Sequence, residues 1–276
     1  MLRQIYGVMR KIWTIIHLWL RNRGTNEPAV GELPVVLSST THGDRVRRMW
    51  IALESVARGS AQPTKNVVWL DNSYESKALP HTLERLKSRG VTFCFAEDVG
   101  PHQKYYYSVD EAIRLGIPLV TMDDDTIYST WWLRRLFDAH LKSPNCVVCY
   151  RARLIDFTRD GRLRAYDDWP FCNIDSANPR VFFTGVSGVL YPLSFLETVK
   201  EYGDAFKEQC PKADDVWLNY IAASSNYPVR QIFPDAWGFP TVPMTQHMAL
   251  WSNNRHEGND EQLLQTYDRR TLSKLL

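Results

Sequence analysis

The stretch "GIPLVTMDDDTIYST", residues 116–130, decides how the rest of the chain is read. Ile117 to Met122 form a short apolar run with β-branched members, which predicts a buried strand, and the run ends in three consecutive aspartates. Upstream, "YYYSVDEAIRLG" (105–116) has helical spacing and stops at a glycine; downstream, "STWWLRRLFDAHLKSP" (129–144) starts at a Ser/Thr cap and stops at Pro144. A strand between two helices is one unit of a rhythm that runs along the chain. The runs "LPVVLSST" (33–40), "KNVVWLD" (65–71), "VTFCFAED" (91–98) and "CVVCYRAR" (146–153) predict strands, with "RVRRMWIALESVARG" (45–59) and "LPHTLERLKSRG" (79–90) as helices between them. Alternating units of this length imply an α/β fold with a mainly parallel sheet covered by helices on both faces. Ligands of such sheets gather at the carboxyl ends of the strands, which here read "STTHGDR", "DNSYES", "EDVGPHQK" and "DDD". None carries G-x-G-x-x-G or a Walker A pattern, which disfavours a dinucleotide site and a P-loop.

The 276 residues suffice for one α/β domain with appendages, and 33 basic against 31 acidic side chains give no sign of a nucleic-acid partner. Ten Trp and thirteen Tyr suit sugar stacking or a membrane interface, and they also suit a core. The five cysteines, Cys94, Cys146, Cys149, Cys172 and Cys210, are odd in number and lack framework spacing, which favours a reducing compartment. "CVVC" lies in a strand-like run where positions three apart face opposite sides, so it predicts buried thiols and no metal site.

Farther on, "RVFFTGVSGVLYPLSFL" (180–196) reads as a strand with a glycine-bearing turn, "KADDVWLNYIAASS" (212–225) as a helix, and "YPVRQIF" (227–233) as a strand. The end of the chain, with "NNRHEGNDEQ" (253–262), is too hydrophilic to predict core.

On an extended segment Asp123 and Asp125 point the same way and Asp124 oppositely, which makes Asp124 the one expected to tolerate change best. Two neighbouring carboxylates repel unless a cation lies between them, and Mg²⁺ or Mn²⁺ takes one or two carboxylates plus phosphate oxygens. The alternative is a solvated turn. Asp214 and Asp215 form a second acidic pair, explained either by helix capping in a first turn or by a general base facing the metal.

Residues 1–23, "MLRQIYGVMRKIWTIIHLWLRNR", contain five basic residues and no acid. Wound as a helix, Ile5, Met9, Ile12, Ile16 and Trp19 make one stripe and Arg3, Arg10, Thr14, His17 and Arg21 the opposite one. The uncharged stretch from Ile12 to Leu20 falls far short of the ~20 residues that span a bilayer. Such a helix suits the headgroup layer of a membrane, or docks on the protein's own core. Residues 24–32 read as a linker.

The order of "VVLSSTTHGDR", "VVWLDN", "GPHQKYYY", "LVTMDDDTIYSTWWLRRL", "FFTGVSGVLYP" and "ADDVWLNY" resembles a glycosyltransferase of the GT-A fold, similar to bacterial family 2-like enzymes of capsule or lipopolysaccharide synthesis. The resemblance covers residues 33–260, leaving 261–276 as a C-terminal tail, and implies a Rossmann-like, mainly parallel sheet with the N-terminal amphipathic helix appended. It implies a hexosyltransferase-like enzyme that moves a sugar from a nucleoside diphosphate sugar to a hydroxyl of a glycan or lipid-linked acceptor, with inversion. Such an enzyme would be cytoplasmic and peripheral on the inner face of the cell membrane.

"DDD" matches the family's D-x-D motif, which implies that Asp125 binds Mn²⁺ or Mg²⁺ directly, supported by Asp123, with Asp124 beside the nucleotide sugar. Thr40, Asp71 and Lys104 would surround the nucleotide, and Gly185 and Gly188 would line the donor sugar or the acceptor. Asp215 would be the base, with Asp214 as the other candidate, since the family's commoner Glu-Asp pair is Asp-Asp here. His247 and His256 are candidates for a later metal ligand, and His102 lies within "GPHQK". The rival readings are a sugar nucleotidyltransferase, although "STTHGDRVRR" has a single glycine where a glycine-rich loop is usual, and a non-catalytic, membrane-peripheral glycan-binding protein.

Overall fold

The computed structural model describes residues 2–243 and 258–276. Among the described residues there are nine strands: β1 (Leu33–Thr40), β2 (Pro63–Asp71), β3 (Val91–Ala96), β4 (Leu119–Thr121), β5 (Val147–Cys149), β6 (Ala152–Leu154), β7 (Val181–Phe183), β8 (Val189–Tyr191) and β9 (Val229–Gln231). Seven of them form one sheet in the order β3-β2-β1-β4-β8-β5-β9, and β6 pairs with β7 apart from it. Within the large sheet β2 pairs parallel with β1 and β3, β1 with β4, and β5 with β9. Only β8 runs against its neighbours β4 and β5. This is the mainly parallel α/β arrangement that the strand and helix rhythm predicts.

The sheet is buried on both faces because its strands are apolar at consecutive positions. Val36, Val67, Leu119, Cys149 and Tyr191 point into one core, and their neighbours Val35, Val68, Val120, Val148 and Leu190 into the other. Cys146 and Cys149 fall in different cores, so the two thiols of "CVVC" face opposite ways as strand geometry requires.

The helices are α1 (Leu2–Gly24), α2 (Trp50–Ala57), α3 (His81–Lys87), α4 (Gln103–Tyr106), α5 (Val109–Leu115), α6 (Trp132–Lys142), α7 (Leu193–Tyr202), α8 (Phe206–Gln209) and α9 (Asp214–Ser224). Beyond the undescribed residues come α10 (Gly258–Thr266) and α11 (Arg269–Ser273). Helices α2, α3 and α6 cover one face of the sheet, and α5, α7 and α9 the other.

Two expectations need correction. The apolar run before the aspartates yields a strand of only three residues; the chain leaves the ladder at Met122, whose N–H donates to the Ser38 carbonyl at 3.0 Å, and the aspartates occupy a turn. Three adjacent like charges are poorly placed along a ladder, and the turn lets them meet different cations. The C-terminal residues also differ from the hydrophilic tail that was expected. Both α10 and α11 pack on α9: Leu263 of α10 is buried, as are Tyr267 and Leu275, which follow the two helices, and Gln262, Thr266 and Thr271 are buried beside them.

Candidate active site

Six carboxylates and several cations line one cleft of about 550 Å³ at the carboxyl ends of β1 and β4. Its lining includes Thr40, His42, Arg45, Lys104, Asp123, Asp124, Asp125, Arg151, Gly185, Asp214 and Asp215. The two acidic pairs expected from sequence therefore converge, one from the turn after β4 and one from the first turn of α9.

The triple aspartate is pinned from several sides. Behind it, Val242 N–H donates to the Asp125 carbonyl at 2.6 Å, and Thr126 bridges to Thr241. The Asp123 N–H donates to the Tyr128 hydroxyl at 2.9 Å. Arg45, just after β1, holds the Asp124 carboxylate and lies 2.9 Å from Asp125 Oδ2, while Thr41 Oγ1 donates to Asp124 Oδ2 at 2.5 Å. Asp124 is thus buried and anchored, which overturns its expected tolerance to change. Alternation along a strand does not apply to a turn, so Asp124 and Asp125 share Arg45 while Asp123 stands 3.8 Å from Lys104.

Lys104, carried by α4, links the two acidic groups. Its ammonium lies 2.8 Å from Asp214 Oδ2 and 3.8 Å from Asp123 Oδ1. Burial works against its charge, but Asp214, Asp123 and Asp215 hold its pKa well above the ordinary lysine value. Asp215 makes no salt bridge among the described residues, and its Oδ1 accepts the Gly185 N–H at 2.8 Å. Burial pushes the Asp215 carboxyl up to about 7, Asp214 adds to the rise, and Lys104 opposes it. Asp123 is likewise pushed up to about 7 by burial, against the pull of Lys104 and with Asp125 and Asp215 raising it further.

Gly185 is required by space: a Cβ there would stand 2.7 Å from Lys104 Nζ and 2.8 Å from Asp215 Oδ1. Gly188 serves packing instead. It lies outside the cleft lining, at φ +98°, and a Cβ would come within 2.5 Å of the Trp132 ring. Thr40 lines the cleft and donates to the Trp69 carbonyl at 3.0 Å. Asp71 does not line it; its carboxylate caps the following turn through Ser73 N–H at 2.8 Å. His102 is buried, bonded to the Tyr105 hydroxyl and the Cys210 carbonyl and stacked on Phe206, and burial pushes its pKa down to about 4. It is a structural group. His247 and His256 lie outside the described residues.

Arg45 and Arg151 in the cleft lining, and Thr41 buried behind it, were not singled out in the sequence. Arg45 and Thr41 stand in "STTHGDR", where the functional signal was the polar strand end as a whole. Arg151 follows β5 and lines the cleft, with its guanidinium 5.1 Å from the Phe171 ring and no salt bridge among the described residues. Burial lowers its pKa, a measure of how weakly its charge is compensated. Nothing in "CVVCYRAR" marks it beyond its place at a strand end.

Among the described residues no group of three or more His, Cys, Asp or Glu forms a ready-made metal cage. Asp123 and Asp125 do offer two hard oxygen donors to the cleft, which fits an octahedral cation that completes its shell with substrate phosphate and water. Lys104 beside Asp123 and Arg45 beside Asp125 add positive charge suited to the same phosphates.

No family model matches the sequence, and no curated protein matches it. Solved structures do. Residues 1–349 of TarS from S. aureus align over 85% of this chain and 70% of that one, at 13% identity and a TM-score of 0.52. A 4-diphosphocytidyl-2C-methyl-D-erythritol synthase from Anaerococcus prevotii aligns over 84% of this chain and 100% of that one, at 10% identity and a TM-score of 0.50. A mannosyltransferase from Pyrobaculum calidifontis, in complex with GDP-Man and Mn²⁺, covers 79% of this chain and 61% of its own, at 14% identity and a TM-score of 0.46. With a mainly parallel seven-stranded sheet flanked by helices and a cleft at its strand ends, the chain has a GT-A-like fold.

Proposed function

We propose that the protein is a metal-dependent glycosyltransferase, moving a sugar from a nucleoside diphosphate sugar to a hydroxyl of a glycan or lipid-linked acceptor with inversion. The observation that carries this reading is the convergence of Asp123 and Asp125 with Asp215 in one cleft, where Asp215 alone among them has no cationic partner within salt-bridge range among the described residues. A carboxylate left without a cation and pushed up to about 7 is suited to take a proton near neutral pH.

In this account Asp123 and Asp125 hold Mn²⁺ or Mg²⁺. That ion, when bound, offsets negative charge on the diphosphate leaving group. Arg45 and Thr41 fix the turn that presents the carboxylates, and Arg45 adds charge beside the phosphates. Lys104 occupies the Asp214 carboxylate as its ion-pair partner, which leaves the proton to Asp215. The Gly185 N–H orients the Asp215 carboxylate through Oδ1, leaving Oδ2 for the acceptor hydroxyl. An acid on α9, across the cleft from the β4 turn, favours direct displacement with inversion. Arg151, over Phe171 in the same cleft, suits an acceptor or donor group that is anionic.

A nucleotidyltransferase would share the fold but needs no base for an acceptor hydroxyl of this kind, and it releases pyrophosphate. The test is a melting-temperature screen of nucleoside diphosphate sugars with Mn²⁺ or with EDTA, followed by product analysis. The matching donor should raise Tm only with the metal, because binding to the native state alone stabilises it, by about 2.7 kcal/mol at a hundred times Kd. Asp125→Ala should abolish the metal-dependent part. Release of a nucleoside diphosphate supports transfer; release of pyrophosphate from sugar phosphate and nucleoside triphosphate would replace this reading with the other.

A further inference from the structure

Helix α1 is turned inside out. Its seat on the body uses Leu18 and Asn22, which are fully buried, with Ile15 packed beside them. Asn22 donates to Glu54 Oε1 at 2.8 Å and to the Thr82 carbonyl at 3.0 Å, and Arg21 lies 3.6 Å from Glu54. The larger apolar side chains face the other way. Met9 is 64% exposed, Trp13 65%, Ile12 51%, Ile16 52%, Trp19 40% and Leu20 56%. Their spacings of three and four place them on one broad stripe, opposite the side that carries Leu18 and Asn22. Helices on soluble proteins normally turn that stripe inward.

The charge around the stripe has one sign. Arg10 and Arg23 are exposed, Lys11 and Arg21 are half-buried, and α1 contains no acid. Arg23 sits 4.4 Å from the Trp19 ring, and Trp13 stacks on His17 at 5.6 Å, so both indoles are held beside cationic or ionisable groups at the edges of the stripe. No helix among the described residues is long and apolar enough to cross a membrane. A stripe of apolar and Trp side chains on a helix whose own charges are all basic matches a bilayer surface, with the stripe among the acyl boundary and the exposed arginines at anionic headgroups.

We propose that α1 is a surface anchor that lays its exposed stripe into a bilayer face bearing anionic lipid, with Glu54, Asn22 and Leu18 coupling it rigidly to the domain. This rests on the helix alone and stands whatever reaction the cleft performs.

The test is cosedimentation of the full chain with vesicles of phosphatidylcholine, alone or mixed with phosphatidylglycerol. The protein should bind the mixed vesicles, lose binding as salt rises, and bind neutral vesicles weakly. Ile12→Asp with Ile16→Asp should weaken partitioning at least about tenfold, since each removes a fully buried apolar side chain from the bound state. Arg10→Ser with Arg23→Ser should weaken it by about tenfold on mixed vesicles only. All four side chains are exposed, so melting temperatures should not move. Absence of wild-type binding to either vesicle, or binding that the aspartates leave unchanged, would overturn the proposal. So would sedimentation equilibrium showing a dimer that the aspartates split, which would assign the stripe to a second copy.

Discussion

At the scale of single residues, Arg45 is shared by Asp124 and Asp125, and this makes Asp124 a structural member of the site. Asp124→Ala leaves a buried guanidinium with half its partners and Thr41 with none on that side, so it should destabilise by up to about 3 kcal/mol in denaturant titration. Gly185→Ala should act differently. Its methyl would displace Lys104 or Asp215 in a part of the cleft that does not hold the core together, so turnover should fall by about a hundredfold while the melting curve stays close to wild type. The pH profile follows from Asp215. Its carboxyl is protonated below about 7 and accepts a proton only above it, so kcat should rise through pH 7 and level off.

The elements explain how these residues are carried. Glu54 of α2 is fully buried and holds Arg89, which follows α3, together with Arg21 and Asn22 of α1. Glu54→Ala strands two guanidinium groups, one of them buried, and should cost about 3–5 kcal/mol and loosen α1, visible as faster amide exchange at residues 15–24. The frame of the sheet was legible in the sequence because it rests on local patterns. "LPVVLSST" is β1 from end to end, and "KADDVWLNYIAASS" contains α9 with both aspartates in its first turn. What local patterns do not encode is where a chain leaves a ladder. Four of the nine residues of "IPLVTMDDD" sit past the end of β4 as Met122 and the aspartates, because the turn is set by Tyr128, Arg45 and the 241–242 segment, all of them tertiary partners. The same holds for Arg45, Arg151 and the packed C-terminal helices. Their roles depend on what lies opposite them, whereas the convergence of the two acidic groups followed from sheet topology, which brings strand ends and α9 together.

For the whole molecule, the cleft trades stability for chemistry. The native state keeps protons on Asp123 and Asp215 up to about pH 7, whereas unfolded carboxyls release theirs near pH 4. The native state therefore binds more protons across that window, and these two groups make stability fall as pH rises through it. His102, pushed down to about 4, acts in the opposite sense below about pH 6.5 and offsets one of them. In EDTA, Asp215→Asn should consequently melt several degrees above wild type at pH 8 and converge with it toward pH 5. The same variant gives the sharpest test of the central claim that Asp215 is the base of a sugar transfer assembled around Asp123 and Asp125. With the matching nucleotide sugar and Mn²⁺, Asp215→Asn should keep the donor-induced rise in Tm and lose turnover by about 10²–10⁴-fold. Turnover at the wild-type rate with donor binding intact would contradict the account.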